Sequence, residues 1–264
     1  MKIRKNKKTL VELAFVFLLA VIVYLAWPNH NNSASESASK PPSGSNQTVV
    51  SSAFNKQMHS IDQASSIWAV VNKGRQLPST YTPADLVVPS VPLRLSAGSS
   101  EMHLRADTAS AMETMFAAAK ADNINLMMAS GYRSYGEQVS VYNSYVSSSG
   151  VAKADTFSAR PGHSEHQTGL AADIEPASRA CEVDQCFDAT PEGKWLAANC
   201  YDFGFIIRYQ KDTQALTGYE YEPWHVRYVG KDLAAQIKKS GQTLEQFFGL
   251  PAYDSYPQTS LTLK

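Results

Sequence analysis

An apolar stretch near the start of the chain most limits how the rest can fold. It runs from Leu13 to Trp27 with Tyr24 as its one polar side chain, and five of the first eight residues are basic. A cationic cluster followed by an apolar run is the order of a secretory signal or signal anchor, and it fits a buried core helix poorly. The sequence therefore predicts that the folded domain comes from later residues, outside a membrane.

The segment after the apolar run carries neither a convincing cleavage site nor a lipobox cysteine. We therefore expect residues 1–28 to form a basic N-terminus and an uncleaved transmembrane signal anchor. Residues 29–62 are rich in Ser and Asn without apolar periodicity, which predicts a solvated spacer. Residues 63–253 are predicted to form the folded domain, followed by a C-terminal tail, 254–264. The expected location is the cell membrane, single-pass, with the domain extracytoplasmic.

The composition is that of an ordinary globular protein, with 44% hydrophobic and 18% charged residues. Residues 1–52 hold six of the 24 basic and two of the 24 acidic side chains, which leaves 18 basic and 22 acidic residues for the remainder. This mild acidity, without a basic patch, indicates that nucleic acid is not a partner.

Two of the three cysteines, Cys181 and Cys186, flank a short acidic segment. Outside the membrane such a pair is predicted to form a disulfide, which the chain-entropy model values at about 2 kcal/mol. Cys200 falls one helical turn after Leu196, which predicts a buried free thiol.

Apolar periodicity predicts short helices and strands that alternate without a strict strand–helix–strand rhythm. The predicted strands are Ile124–Ser130, Leu170–Ile174, Phe205–Tyr209 and His225–Val229; the predicted helices are Asp107–Asp122, Tyr135–Ser147 and Lys231–Phe248. This mixture favours an α+β fold: a single domain with a central antiparallel sheet flanked by helices.

The most informative segment runs from Ser164 to Asp173. In the predicted strand, Asp173 lies on the face opposite Ala172, beside the small Ala171. Gly169 can adopt backbone angles that turn His166 back over the end of the strand. One imidazole and one carboxylate are therefore expected to meet.

A second segment, Glu222-Pro223-Trp224-His225, supplies another imidazole and another carboxylate. His166, Asp173 and His225 would form a His₂–carboxylate metal site with an open fourth position, which is the pattern of catalytic zinc. Glu222 would then be the general base for a water molecule at that position.

Each of these residues has an alternative interpretation. A His followed by an Asp seven positions later is weak evidence for a metal site, and two His with one carboxylate also bind non-haem iron. His225 could be a hydrogen-bonded core residue. Glu222 and Glu165 could be solvated loop acids, and His163 could line the wall of a site.

A third segment, Ser130-Gly131-Tyr132-Arg133-Ser134, ends a predicted strand. An arginine on such a turn can present its guanidinium group to a carboxylate or a developing oxyanion. The alternative is an ordinary surface arginine.

Taken together, the three segments resemble the zinc D-alanyl-D-alanine carboxypeptidases of the VanY type, with a Hedgehog/DD-peptidase-like fold. That family combines S-G-Y-R-S, S-x-H-x-x-G-x-A-x-D and a later E-x-W-H, which match residues 130–134, 164–173 and 222–225 here. Further similar stretches, such as 81–86 and 201–209, extend the resemblance over about residues 66 to 252.

The resemblance implies one Zn²⁺ per chain on His166, Asp173 and His225, with Glu222 as catalytic base. It also implies that Arg133 binds the substrate and its charged intermediate, and that Ser164 and Gln138 line the substrate pocket. A metallopeptidase rather than a serine-type enzyme is expected.

The expected reaction removes the C-terminal D-Ala from the pentapeptide stem of peptidoglycan or of its lipid-linked precursor, with a contribution to glycopeptide resistance. Two alternatives are a peptidoglycan endopeptidase of the same fold and a non-catalytic, zinc-stabilised wall-binding module.

Overall fold

The structure, a computed structural model, describes residues 54–264. Its strands are β1 (Arg75–Gln76), β2 (Leu86–Val87), β3 (Leu104–Arg105), β4 (Leu126–Ser130), β5 (Ala171–Pro176), β6 (Phe205–Tyr209), β7 (Glu222–Tyr228) and β8 (Leu261–Thr262). Its helices are α1 (Ala106–Ala121), α2 (Tyr135–Ser149), α3 (Val151–Ala154), α4 (Pro191–Asn199), α5 (Gln214–Thr217), α6 (Lys231–Ser240) and α7 (Leu244–Phe248).

Four strands form the central sheet in the order β4-β5-β7-β6, and every neighbouring pair is antiparallel. The predicted α+β fold with a central antiparallel sheet is thus confirmed. Two small two-stranded sheets flank it: β2 pairs antiparallel with β3, and β1 pairs parallel with β8.

The two faces of the sheet bury different chemistry. One face packs Ala172, Ile174 and Val226 into the main hydrophobic core, together with side chains of α1 and α4. Because side chains alternate across a strand, the opposite face receives Asp173 and His225. Both are buried, so this face gathers polar groups that need partners inside the protein.

The start of helix α2 could be predicted from the residues at its N-terminus. Its cap, Ser134, accepts a hydrogen bond from the backbone N–H of Glu137, whose carboxylate in turn accepts one from the backbone N–H of Ser134. This reciprocal pair satisfies two N–H groups that the helix itself leaves unpaired. The predicted start of the helix after Ser134 is confirmed.

Several predicted boundaries were wrong. The single helix Lys231–Phe248 is two helices, because Gly241 adopts a left-handed conformation (φ 66°) that ends α6. Strand β7 begins at Glu222 rather than at His225, since the ladder with β6 shifts register between Ile207 and Tyr209 and so accommodates Pro223.

The third boundary is the C-terminal one. The tail, 254–264, was predicted to lie outside the domain, but β8 pairs with β1 and Leu263 is buried. Its last backbone carbonyl, at Lys264, also accepts a hydrogen bond from the N–H of Ala64. The domain therefore continues to residue 264.

The predicted anchor, 1–28, and residues 29–53 of the predicted spacer lie outside the described residues. The remainder of the predicted spacer, 54–62, packs on the domain: Phe54 and Ile61 contact a hydrophobic core cluster, and Asp62 forms an ion pair with Arg75. The domain therefore begins earlier than the predicted residue 63. Among the described residues, no helix has the length and apolar character needed to cross a membrane.

The structure confirms both cysteine predictions: Cys181 and Cys186 are joined in a disulfide, and Cys200 is a buried free thiol. Burial raises the pKa of the Cys200 thiol, so it is a poor nucleophile at neutral pH.

Thiol counting tests this assignment. Protein that is denatured without reductant should react with one equivalent of a thiol reagent, because only Cys200 carries a free thiol. After reduction the count should rise to three. Three equivalents without reductant would contradict the disulfide.

Candidate active site

The register of the central sheet brings Asp173 and His225 together. They are direct cross-strand partners on β5 and β7, and His225 Nδ1 lies 3.3 Å from Asp173 Oδ1. On its other side Asp173 is the partner of Ser130 on β4, whose hydroxyl donates a 2.6 Å hydrogen bond to Asp173 Oδ2. The carboxylate is therefore held between two strands and cannot rotate freely.

His166 reaches the same point from a single 3₁₀ turn, Glu165–Thr168, that precedes β5. Gly169 ends this turn in a left-handed conformation (φ 66°), as the sequence predicted. His166 Nδ1 lies 2.7 Å from the carbonyl oxygen of Gly131, which can only accept a hydrogen bond. Nδ1 is therefore protonated, and the lone pair lies on Nε2, 3.4 Å from Asp173 Oδ2.

The three side chains fit a divalent cation. One ligand atom from each of His166, Asp173 and His225 lies within 4.8 Å of the others, and all three residues are buried. Asp173 Oδ1 is buried without a hydrogen-bond partner among the described residues. A buried carboxylate oxygen without a donor is costly unless a cation approaches it.

The electrostatics of the cluster also favour positive charge. Burial would lower the pKa of His225, but the carboxylates of Asp173 and Glu165 raise it to about 9. Burial would likewise raise the pKa of Asp173, yet His166 and His225 hold it below its usual range. Burial lowers the pKa of His166 to about 3, so this imidazole is neutral and able to act as a ligand.

Glu222 lies beside the cluster without being part of it. Its Oε2 is 3.6 Å from His225 Nδ1, and the residue is buried at the start of β7. Burial raises the pKa of Glu222 to about 8, against the opposing effect of His225. A carboxylate with a pKa this close to neutrality is suited to accept a proton and then release it.

A cavity of about 300 Å³ opens over the cluster, and Arg133 lies in its wall. Arg133 Nε donates to Glu101 and Nη1 donates to the side-chain oxygen of Gln138, while Gln138 donates to the carbonyl of Ala159. Within the described residues Nη2 makes no hydrogen bond. The guanidinium is thus oriented by two partners and retains donors for a third.

The other residues that the sequence suggested for the site lie in different places. Ser164 lines the cavity together with Gln138. His163 lies away from the cluster, with Nδ1 2.8 Å from the carbonyl of Asn72 and its ring against Tyr256. Glu165, considered above as a solvated loop acid, is buried and holds two arginines.

Several functional neighbours were missed from the sequence. Ser130 holds Asp173, and the Tyr209 ring packs against the His225 ring with centroids 4.9 Å apart. Val183 and Gln185, within the disulfide loop, line the cavity. The position of Ser130 at the end of a predicted strand was an available signal, whereas the wall formed by the disulfide loop had none.

The chain is also similar to known proteins along most of the described domain. Residues 101–231 match the family model described as VanY, D-alanyl-D-alanine carboxypeptidase. The chain is 44% identical over 191 residues to YodJ of Bacillus subtilis (strain 168), which carries a provisional carboxypeptidase name. That match covers 72% of this chain and 70% of YodJ.

Two solved structures are similar as well. The LD-carboxypeptidase LdcB is 45% identical, with a TM-score of 0.68 and coverage of 70% of this chain and 87% of LdcB. A variant of the vancomycin-resistance D,D-pentapeptidase VanY from a VanB-type cassette, solved with Zn(II), is 33% identical with a TM-score of 0.56. The match covers 68% of this chain and 97% of the VanY variant.

Proposed function

The chain belongs to the VanY family of D-alanyl-D-alanine carboxypeptidases, and from that membership we propose that it is a zinc-dependent carboxypeptidase of peptidoglycan. Its substrate is the pentapeptide stem, and its product is the stem without the terminal D-alanine. One zinc ion per chain is held by His166, Asp173 and His225.

One observation supports this proposal above the others. A single cavity is bordered by three potential metal ligands, by a buried carboxylate that is not needed as a ligand, and by an oriented arginine. A metal site that only stabilises a fold has four protein ligands and no need of a neighbouring base. The spare carboxylate of Glu222 therefore favours hydrolysis over a structural role.

The reaction is the hydrolysis of the last amide, which consumes one water and yields a carboxylate and a free amine. Bound zinc would supply Lewis acidity that lowers the pKa of a water molecule and polarises the scissile carbonyl. Glu222 Oε2 takes the proton from the attacking water and returns it to the leaving amine nitrogen.

Arg133 lies in the wall of the same cavity, where its guanidinium can bind negative charge. Its guanidinium is held by Glu101 and Gln138 before substrate arrives, so little reorganisation accompanies binding. We propose that its remaining donors bind the terminal carboxylate of the stem peptide or the developing oxyanion.

Arg133→Met should lower kcat/KM by roughly 10²–10³-fold, the usual cost of removing a donor to a developing oxyanion. Steady-state kinetics on pentapeptide measures this effect. Zinc content should stay at the wild-type level, since no metal ligand is changed. An unchanged kcat/KM would remove Arg133 from the site.

A second candidate function deserves a direct test, because similarity to the LD-carboxypeptidase LdcB exceeds similarity to the D,D-pentapeptidase VanY in both identity and TM-score. Both activities release one D-alanine. They differ in the residue that precedes it, which has the D configuration in a pentapeptide and the L configuration in a tetrapeptide.

The test offers matched synthetic pentapeptide and tetrapeptide stems to the purified protein and identifies the products by mass spectrometry. The proposal expects loss of one alanine from the pentapeptide, with a higher kcat/KM than for the tetrapeptide. The reverse preference would assign the L,D activity. Cleavage within the stem would assign an endopeptidase, and binding without any product would assign a wall-binding module.

Two further parts of the proposal concern cellular context. We propose that the N-terminal segment tethers the domain to the cell membrane, facing the wall and its lipid-linked precursors. Removal of the terminal D-alanine would also remove the dipeptide that glycopeptide antibiotics bind, which would contribute to resistance. Fractionation of cells and susceptibility tests with and without expression check these two points.

A further inference from the structure

One buried carboxylate next to the candidate metal ligands takes no part in the proposed reaction. Glu165 precedes His166 on the 3₁₀ turn, and its side chain is completely buried. Glu165 Oε1 accepts hydrogen bonds of 2.8 Å from Arg208 Nε and from Arg227 Nη1. Glu165 Oε2 has no hydrogen-bond partner among the described residues, and it lies 3.5 Å from His225 Nε2.

His225 Nε2 is also buried without a partner among the described residues. The other ring nitrogen, Nδ1, faces the cluster, 3.3 Å from Asp173 Oδ1. A neutral imidazole has one N–H and one lone pair, and a carboxylate can only accept. The two unpartnered atoms therefore suit each other: Nε2 as the donor and Glu165 Oε2 as the acceptor.

We propose that Glu165 is a positioning residue that fixes His225 in its Nε2–H form and thereby presents the Nδ1 lone pair to the metal. The inference rests on the proposed function in one respect, because it takes the cluster to be a metal site. A ligand histidine held by an outer carboxylate binds metal more tightly, since the ring is already oriented and its basicity is raised.

The surroundings of Glu165 make it a rigid support. Arg227 also donates to the carbonyl of Ala69, and Arg208 also donates to both carboxylate oxygens of Glu245 on α7. The network is buried and charged, so each member depends on the others for compensation. A single turn thus supplies one metal ligand, His166, and the support for a second.

The test compares two carboxylates of the same network. Glu165→Gln keeps the shape of the side chain but loses the charge that faces His225, so it should weaken zinc binding by about 10–100-fold. Glu245→Gln is the matched control: it likewise removes the charge of a buried partner of Arg208, but one that does not contact His225. We expect it to leave the zinc dissociation constant close to the wild-type value.

Zinc affinity is measured by competition with a chromophoric chelator, and the stability of the metal-free variants by thermal unfolding. Both variants should lose stability, but only Glu165→Gln should lose zinc affinity. Wild-type affinity in Glu165→Gln, or equal losses in the two variants, would overturn the positioning role alone. Absence of zinc binding by the wild type would instead overturn the proposed function.

A measurement on the wild type does not depend on how the variants fold. Long-range ¹⁵N–¹H spectra of the zinc-loaded protein distinguish the two forms of each imidazole. His225, identified by its contact with the Tyr209 ring, should carry its proton on Nε2, whereas His166 should carry its proton on Nδ1. A proton on Nδ1 of His225 would overturn the proposal.

Discussion

Glu222→Gln is expected to retain one zinc ion per chain and the wild-type fold while losing most of its activity. The amide has nearly the shape of the carboxylate but cannot take a proton from water. General acid–base catalysis typically contributes roughly 10²–10⁴-fold in rate, and kcat should fall by that factor. Steady-state kinetics, together with metal analysis of the same sample, measures both quantities.

A neighbouring acid supplies the control. Glu220 is two residues away and lines the same cavity, but its carboxylate pairs with Lys153 and Thr156. Because Glu220→Gln leaves the proposed base in place, it should lower kcat far less than Glu222→Gln does. If Glu222→Gln lost its zinc, Glu222 would be a fourth ligand and the site structural. If the zinc stayed and kcat were nearly unchanged, the base would lie elsewhere.

Asp173→Ala is expected to abolish both zinc binding and activity. It removes the one carboxylate of the ligand set and leaves two imidazoles, so the loss of affinity should exceed the roughly 10–100-fold cost of removing an outer partner of a ligand. Metal analysis after gel filtration and a peptide assay at saturating zinc provide the readouts. The variant should remain inactive even with added zinc.

The same strand provides a matched control for this substitution. Glu175 is a buried carboxylate two residues along β5, where it pairs with Arg94 instead of the cluster. Glu175→Gln should bind one zinc ion as the wild type does. Zinc retained at full stoichiometry in Asp173→Ala would remove Asp173 from the ligand set.

The features that could be predicted from the sequence depend on residues close together in the chain. Helix α2 could be predicted because Ser134 and Glu137 form its cap within one turn. The conformation of Gly169 followed from the short path between His166 and the strand that holds Asp173. In each case the deciding interaction joins residues close together in the chain.

Contacts between residues far apart in the chain could not be predicted from the sequence. Glu165 looked like a loop acid because nothing near it in the chain indicates Arg208 and Arg227, which reach it from β6 and β7. The C-terminal tail lacks a strong apolar pattern, and its strand β8 exists through pairing with β1. The pairing of Asp173 with His225 likewise depends on the alignment of β5 and β7, two strands that lie far apart in the chain.

The central claim is that a metal held by this cluster enables removal of the terminal residue of a stem peptide. The most direct measurement removes the metal with a chelator, follows alanine release from the pentapeptide, and then adds zinc back. We predict that release stops without metal and returns in full at one equivalent of zinc per chain. Undiminished alanine release by the metal-free protein would contradict the account.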